Sequence, residues 1–165
     1  MIYNNGSIRR HDRRQNENNI ARLLASGEYG ILSMIEREGT KERGYGITLN
    51  YVWDGSNSIY FHCAQEGYKL QCLMINLEVS FCVIGKTKVI SNKFTTAYES
   101  IVVRGRIHLG LSEDERRNAL RMLIEKYSPD DLEIGEKYIE KSFDRTNVIL
   151  LEIKEISGKG NYMKS

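Results

Sequence analysis

Proline is nearly missing from this 165-residue chain: there is one, Pro129. That excludes proline-rich linkers and argues against long disordered stretches. Cysteine is sparse too, with three residues, Cys63, Cys72 and Cys82, in no C-x-x-C spacing. An odd count without short pairs excludes a disulfide framework and a thiolate zinc site, and fits free thiols in a reducing cytoplasm. No apolar run approaches membrane-spanning length. The basic N-terminus is not followed by the apolar segment of a secretory leader. A large excess of one charge is also lacking: 24 Lys and Arg face 22 Asp and Glu, for a net +2. That is too mild a balance to argue for nucleic acid. What is present, 41% hydrophobic and 28% charged residues, is the composition of an ordinary globular protein. The length fits one domain with a core of its own.

Residues 1–14 are polar and carry the block Arg9-Arg10-His11-Asp12-Arg13-Arg14. They read as a flexible basic arm ahead of a single domain of residues 15–165. The block suits a polyanion, or equally a solvated arm resting on its own domain. A helix is expected from Gln15 to Ser26, with Ile20, Leu23 and Leu24 on one face and Gly27 as its stop. Strands are expected at Tyr29–Ile35, Tyr45–Trp53, Ser58–Cys63, Glu78–Ile84, Ser100–Leu109 and Val148–Ile156. Arg37–Arg43 and residues 85–97 read as loops. Asp54-Gly55-Ser56-Asn57 reads as the turn of a hairpin between the second and third strands. Gly105 suggests a bulge. Short helices fit Gly67–Asn76, with Leu70, Leu73 and Met74 at helical spacing, and Asp131–Phe143. Ser112-Glu113-Asp114-Glu115 is a capping box for a helix that runs to Tyr127. Its Glu115, Arg116, Arg117 and Glu125 read as a solvated face. Strands outnumber helical crossovers. The expected fold is therefore mainly β: a six-stranded, mostly antiparallel barrel with peripheral helices.

The segment Tyr60–Leu70, YFHCAQEGYKL, concentrates the chemistry. A strand ends at His62-Cys63-Ala64, Gly67 follows, and Lys69 stands just inside a helix. A helix start offers unpaired backbone N–H groups and Lys69 adds positive charge, which together suit a phosphate. The plain alternative for Lys69 is a surface lysine. His62 reads either as a proton-handling group at a site or as a packed histidine with one nitrogen bonded. A metal site through His62, Cys63 and Cys72 is not expected, because neighbours on a strand point to opposite faces. Cys72 and Cys82 read as small core residues.

Those motifs, with NLEVSFCVIG, TTAYESIVVRGRI, EKYSPD and LEIKEISGK in that order, resemble the flavin-binding split-barrel proteins related to pyridoxamine 5′-phosphate oxidase. Within that group the chain is most similar to the nitroimidazole-resistance branch, over about Gln15 to Lys159. The resemblance implies a split β-barrel and a homodimer with FMN at the subunit interface. It implies a phosphate held at Gly67-Tyr68-Lys69, next to His62, Cys63 and Ala64. It implies a flavin ring along the strand Gly46-Ile47-Thr48-Leu49-Asn50, with Thr48, Leu49 and Asn50 at the cofactor, approached by the segment Thr95-Thr96 to Ser100 through Thr96 and Ser100, with His62 as the residue linked to substrate reduction. Two positions depart from the pattern. Tyr68 stands where relatives often carry His or Arg, and Arg104 where an apolar residue is more usual. The implied activity is an FMN-dependent oxidoreductase that reduces a small acceptor such as a nitro compound. Alternatives are a flavin carrier without its own substrate, or a split barrel that binds haem or deazaflavin. Pyridoxamine phosphate oxidation itself is not expected, because the chain ends within nine residues of Ile156.

Overall fold

The computed structural model describes residues 1–162. In chain order its elements are β1 (Ile2–Tyr3), α1 (Glu17–Ser26), β2 (Tyr29–Glu38), β3 (Lys41–Asn50), β4 (Val52–Trp53), β5 (Ser58–Ala64), α2 (Tyr68–Ile75), β6 (Glu78–Ile90), β7 (Thr95–His108), α3 (Glu113–Tyr127), α4 (Leu132–Ser142) and β8 (Thr146–Asn161). The strands form one sheet in the order β3-β2-β6-β7-β8-β5-β4, with β1 added in parallel to β8. Six strands are long, as the sequence predicts; β1 and β4 have two residues each. The two ends of the sheet order, β3 and β4, are consecutive in the chain with Tyr51 alone between them. The sheet curls into a barrel that is split there, because no ladder joins its two edges.

Period-two alternation places Leu32, Phe61, Phe81, Val103, Ile149 and Leu151 inside the barrel, all fully buried. α1 closes one end with Ile20, Leu23 and Leu24. Its N-cap is Asn16, whose side chain accepts a hydrogen bond from the Asn19 amide at 2.8 Å. A second apolar cluster lies outside the barrel. Leu120 and Leu123 of α3 and Ile139 of α4 cover Val52 and Val148 there. The capping box is present: the Glu115 amide donates to Ser112 Oγ at 3.3 Å.

Several expectations are corrected. Tyr45–Asn50 does not pair with Ser58–Cys63. It belongs to β3 and pairs with β2, and only Val52–Trp53 forms the short hairpin with β5. Arg37–Arg43 is the far end of the β2–β3 hairpin rather than a loop. Residues 85–97 are mostly strand as well, a ribbon in which β6 and β7 stay paired to Ile90 and Thr95. Met74 is 80% exposed, so α2 buries Cys72 and Leu73 instead. Cys82 is half-buried on the outer face of β6, not in the core. On α3, Arg116 and Arg117 are more than solvated. Their guanidinium groups sit 4.3 and 4.1 Å from the Phe143 ring centre, and Arg116 also donates to the Phe143 and Thr146 carbonyls. Arg104 is exposed and pairs with Glu155 at 2.7 Å. A bulge does interrupt the β7–β8 ladder beside Gly105, but the extra residue, Lys154, lies on β8 and not on β7.

Candidate functional site

β5 sets up the site. Its alternation sends Ile59 and Phe61 into the core, and Tyr60 and His62 to the outer side. The strand ends at Ala64, and after Gln65-Glu66 the chain turns at Gly67, whose φ is +145°. Only glycine adopts that backbone comfortably. α2 begins at the next residue without a side-chain cap. The amides of Tyr68 and Lys69 therefore have no acceptor within the helix. A side chain added at Gly67 would meet nothing within 4 Å. The turn is thus uncrowded where a side chain would stand, and free amides at a helix start suit an anion.

Lys69 is half-buried and close enough to act on both neighbours of the strand end. Burial, helped by the Lys69 charge, lowers the His62 pKa below the ordinary 6.5. Burial raises the Cys63 thiol, while the nearby Lys69 pulls it the other way. At neutral pH His62 is therefore an uncharged imidazole with one nitrogen free to accept. Tyr68 behaves differently from the expectation. Its hydroxyl donates to Glu36 at 2.9 Å and its ring meets Tyr45 edge-on at 5.1 Å. It leans onto the β2–β3 hairpin, away from the turn.

On β3, Leu49 packs against the barrel core, while Thr48 and Asn50 are exposed. The Asn50 amide nitrogen donates to the Glu28 carbonyl at 3.0 Å. Asn50 and His62, which face each other across the split, line one cleft of ≈ 410 Å³ beneath α3 and α4. Leu120, Leu123, Tyr138 and Ile139 supply most of its apolar wall.

Thr96 and Ser100 are not brought to this place within one chain. The Thr96 carbonyl accepts from Asn161 Nδ2 at 2.7 Å, and Ser100 Oγ donates to the Lys159 carbonyl at 3.4 Å. Ser100 pairs with Ile84 of β6 and Asn50 with Tyr29 of β2, so two strands stand between Ser100 and Asn50 in the sheet. Three strand spacings put it roughly 14 Å from Asn50.

Lys126 and Tyr127, at the end of α3, are not among the site residues expected from the sequence. Lys126 Nζ donates to the Tyr51 carbonyl at 2.9 Å and lies 3.8 Å from the centre of the Tyr51 ring. Burial pushes its pKa down to about 8. The Tyr127 hydroxyl accepts from the Tyr51 amide at 3.0 Å and donates to the same residue's carbonyl at 2.8 Å. Together they pin the residue that bridges the split. No hydrophobic period marks a lysine that folds back onto a backbone carbonyl.

Among the described residues no group of three or more His, Cys, Asp or Glu is placed to hold a metal ion. No helix among them is long and apolar enough to cross a membrane.

Solved structures with the same fold include a candidate 5-nitroimidazole antibiotic resistance protein from Bacteroides thetaiotaomicron. It is 18% identical, with 88% of this chain and 84% of that one covered and a TM-score of 0.69. The flavocytochrome Anf3 from Azotobacter vinelandii is 18% identical, covering 94% and 72%, with a TM-score of 0.75. A FAD-binding protein from Mesorhizobium loti is 17% identical, covering 91% and 98%, with a TM-score of 0.61. At such identities the likeness concerns the fold. No curated protein matches the sequence. The sequence model of the family described as pyridoxamine 5′-phosphate oxidase matches residues 16–160. With nearly the whole barrel inside that match, the chain belongs to the pyridoxamine 5′-phosphate oxidase family.

Proposed function

We propose that the protein is an FMN-dependent oxidoreductase acting as a homodimer, with the flavin phosphate on the Gly67–Lys69 turn and the ring along Thr48–Asn50. The observation that carries this reading is the turn itself. An uncapped helix start, a glycine at φ +145° and Lys69 stand together beside His62. Membership of the family supports the reading, as does flavin binding in two relatives named for it. FMN held there would supply the electron transfer, while the protein supplies binding, orientation and exclusion of side reactions. Lys69 and the first amides of α2 offset the phosphate charge. The backbone of Leu49 and its neighbours reads the flavin edge. The neutral imidazole of His62 holds a hydrogen bond to a small acceptor seated in the apolar cleft. A nitro compound, with two acceptor oxygens and little charge, suits that cleft. The free thiols fit a cytoplasmic setting.

The outer face of β2, β6 and β7 supports the dimer. Tyr29 and Ile84 lie in one row there, 59% and 54% exposed. Ile31, Cys82 and Val102 fill the row beside it. A second copy covering this stripe would bring its Thr96 and Ser100 toward the flavin. Denaturing the purified protein and chromatographing the released cofactor tests the assignment: FMN is expected. Lys69→Ala should weaken FMN binding by roughly 1.5–3 kcal/mol, the worth of a charged hydrogen bond. Unchanged affinity would remove Lys69 from the phosphate site. Turnover with NADH or NADPH and a panel of acceptors, compared with free FMN, separates an oxidoreductase from a flavin carrier.

A second reading, haem in the same cleft, draws on the apolar walls around an uncharged His62 and on the flavocytochrome among the similar folds. A Soret band from the purified protein would favour it over the flavin. A deazaflavin would show instead in the chromatogram.

A further inference from the structure

The basic block of the N-terminal arm does not trail into solvent. The arm is fastened at both ends to β8. At its start, Ile2 and Tyr3 pair with Glu155 and Ile156, the Asn4 amide donates to the Ile156 carbonyl at 2.8 Å, and Asn5 Oδ1 accepts from the Gly158 amide at 3.0 Å. At its far end, Arg14 bridges to Lys159 and the Gln15 amide donates to the Gly158 carbonyl at 2.9 Å. The Arg14 guanidinium ties the span together by donating to the Ile8 carbonyl at 3.2 Å. Residues 6–13 are thus held as a loop over the outer face of β7 and β8.

Beneath that loop lies a pocket of ≈ 360 Å³. Four of its nine lining residues are cationic, Arg9, Arg10, Arg104 and Lys159, and three carry hydroxyls, Ser7, Ser100 and Ser157. Two of the cations are already paired, Arg10 with Asp12 at 2.6 Å and Arg104 with Glu155 at 2.7 Å. Arg9 and Lys159 have no carboxylate partner among the described residues. Ser157 is only 7% exposed, and its hydroxyl makes no hydrogen bond among them either. Two unpaired positive charges beside the hydroxyls of Ser7 and Ser157 match a phosphate monoester, which carries about −1.5 to −2 charges and three acceptor oxygens. The fastening of the loop lowers the ordering cost of binding.

We infer that this pocket, roofed by the arm and separate from the Gly67–Lys69 turn, binds the phosphate group of a small molecule. Two sources share that chemistry. One is a phosphorylated metabolite or cofactor that binds here independently. The other is the flavin phosphate of a second copy; that source keeps the flavin and the dimer proposed above but moves the phosphate from the Gly67–Lys69 turn to this pocket.

The test uses the full chain, stripped of cofactor, and the variant Arg9→Gln/Lys159→Gln. Calorimetric titration with inorganic phosphate and with NADPH, each at fixed ionic strength, reads the pocket directly. FMN titration of the same two proteins reads the flavin. Circular dichroism and thermal unfolding confirm that the variant folds, since both changes are at the surface. Phosphate or NADPH binding weakened roughly tenfold or more, with FMN unaffected, establishes the pocket as an independent phosphate site. FMN weakened to a similar degree assigns the pocket to the flavin of a second copy. If phosphate, NADPH and FMN bind the variant as they bind the wild type, the inference is wrong. A failure of FMN to bind either protein would overturn the proposed function and leave the phosphate titration as the measure of the pocket.

Discussion

At the residue scale, the protonation of His62 is a measurable consequence of its surroundings. Its folded-state pKa lies below the 6.5 of the free side chain. Below pH 6.5 the unfolded chain therefore takes up the proton first. Stability from this group is complete above pH 6.5, falls as pH drops toward the folded value, and levels off below it. His62→Gln should flatten that limb in urea titrations repeated across pH 5 to 7. Lys126 gives the opposite window. Its pKa of about 8, against an ordinary 10.5, means that the folded state resists the charge. Stability should climb as pH rises from 8 to 10.5, and Lys126→Met should remove that climb; an identical slope in the variant would show that Lys126 is as solvated as any surface lysine. How far single residues could be read in advance differs between the two. A glycine and a lysine at a strand-to-helix junction have a recognisable spacing, so the place of Lys69 just inside α2 was legible. The turning of Tyr68 toward Glu36 and of Lys126 toward Tyr51 depends on partners 32 and 75 residues away. No local pattern encodes those contacts.

At the scale of elements, the legible parts are those with one face in oil and one in water. The alternation of β5 and the apolar stripe of α1 carry a period set by burial, while the capping box of α3 is a local hydrogen-bond signal. The ribbons at Arg37–Arg43 and 85–97 have water on both faces, so Lys86, Thr87 and Lys88 look like a loop. Pairing across the hairpin alone makes them strands. The irregularity beside Gly105 was legible, though not that β8 carries its extra residue, because glycine inside an apolar strand needs a reason. Here the reason is contact: a methyl group at Gly105 would stand 2.0 Å from the Glu152 carbonyl oxygen. Gly105→Ala should therefore cost the upper end of the roughly 1–3 kcal/mol typical of overpacking. A chemical denaturation midpoint shifted to lower urea, with an unchanged slope, is the expected result. Wild-type stability in that variant would mean that β7 and β8 separate easily at the bulge.

At the scale of the whole molecule, the apolar stripe across β2, β6 and β7 asks for a cover. Ile84→Glu puts a charge in its middle at a position already exposed in the single chain, so the subunit itself should fold normally. Sedimentation or light scattering should then show the mass of one chain instead of two. FMN should bind more weakly if the second copy completes its site. A wild-type dimer that persists in this variant would place the interface elsewhere. The barrel and its helices were legible as an ensemble of strands, but the location of the split was not. It follows from the chain passing directly from one edge of the sheet to the other at Tyr51. The position of β8 has a consequence for how the molecule comes into being. β8 pairs with β1, β5 and β7, yet it follows all of them in the chain. As the polypeptide leaves the ribosome, β5 waits about eighty residues for its neighbour, with its backbone edge bare. The order of synthesis and the order of the sheet thus disagree, and the nascent chain passes through a stage in which strands are made but not yet joined. Such stages are where β proteins are most exposed to aggregation. Arrested chains ending before Asn147 should accordingly be protease-sensitive, and chains reaching past Asn161 into free solution should become resistant.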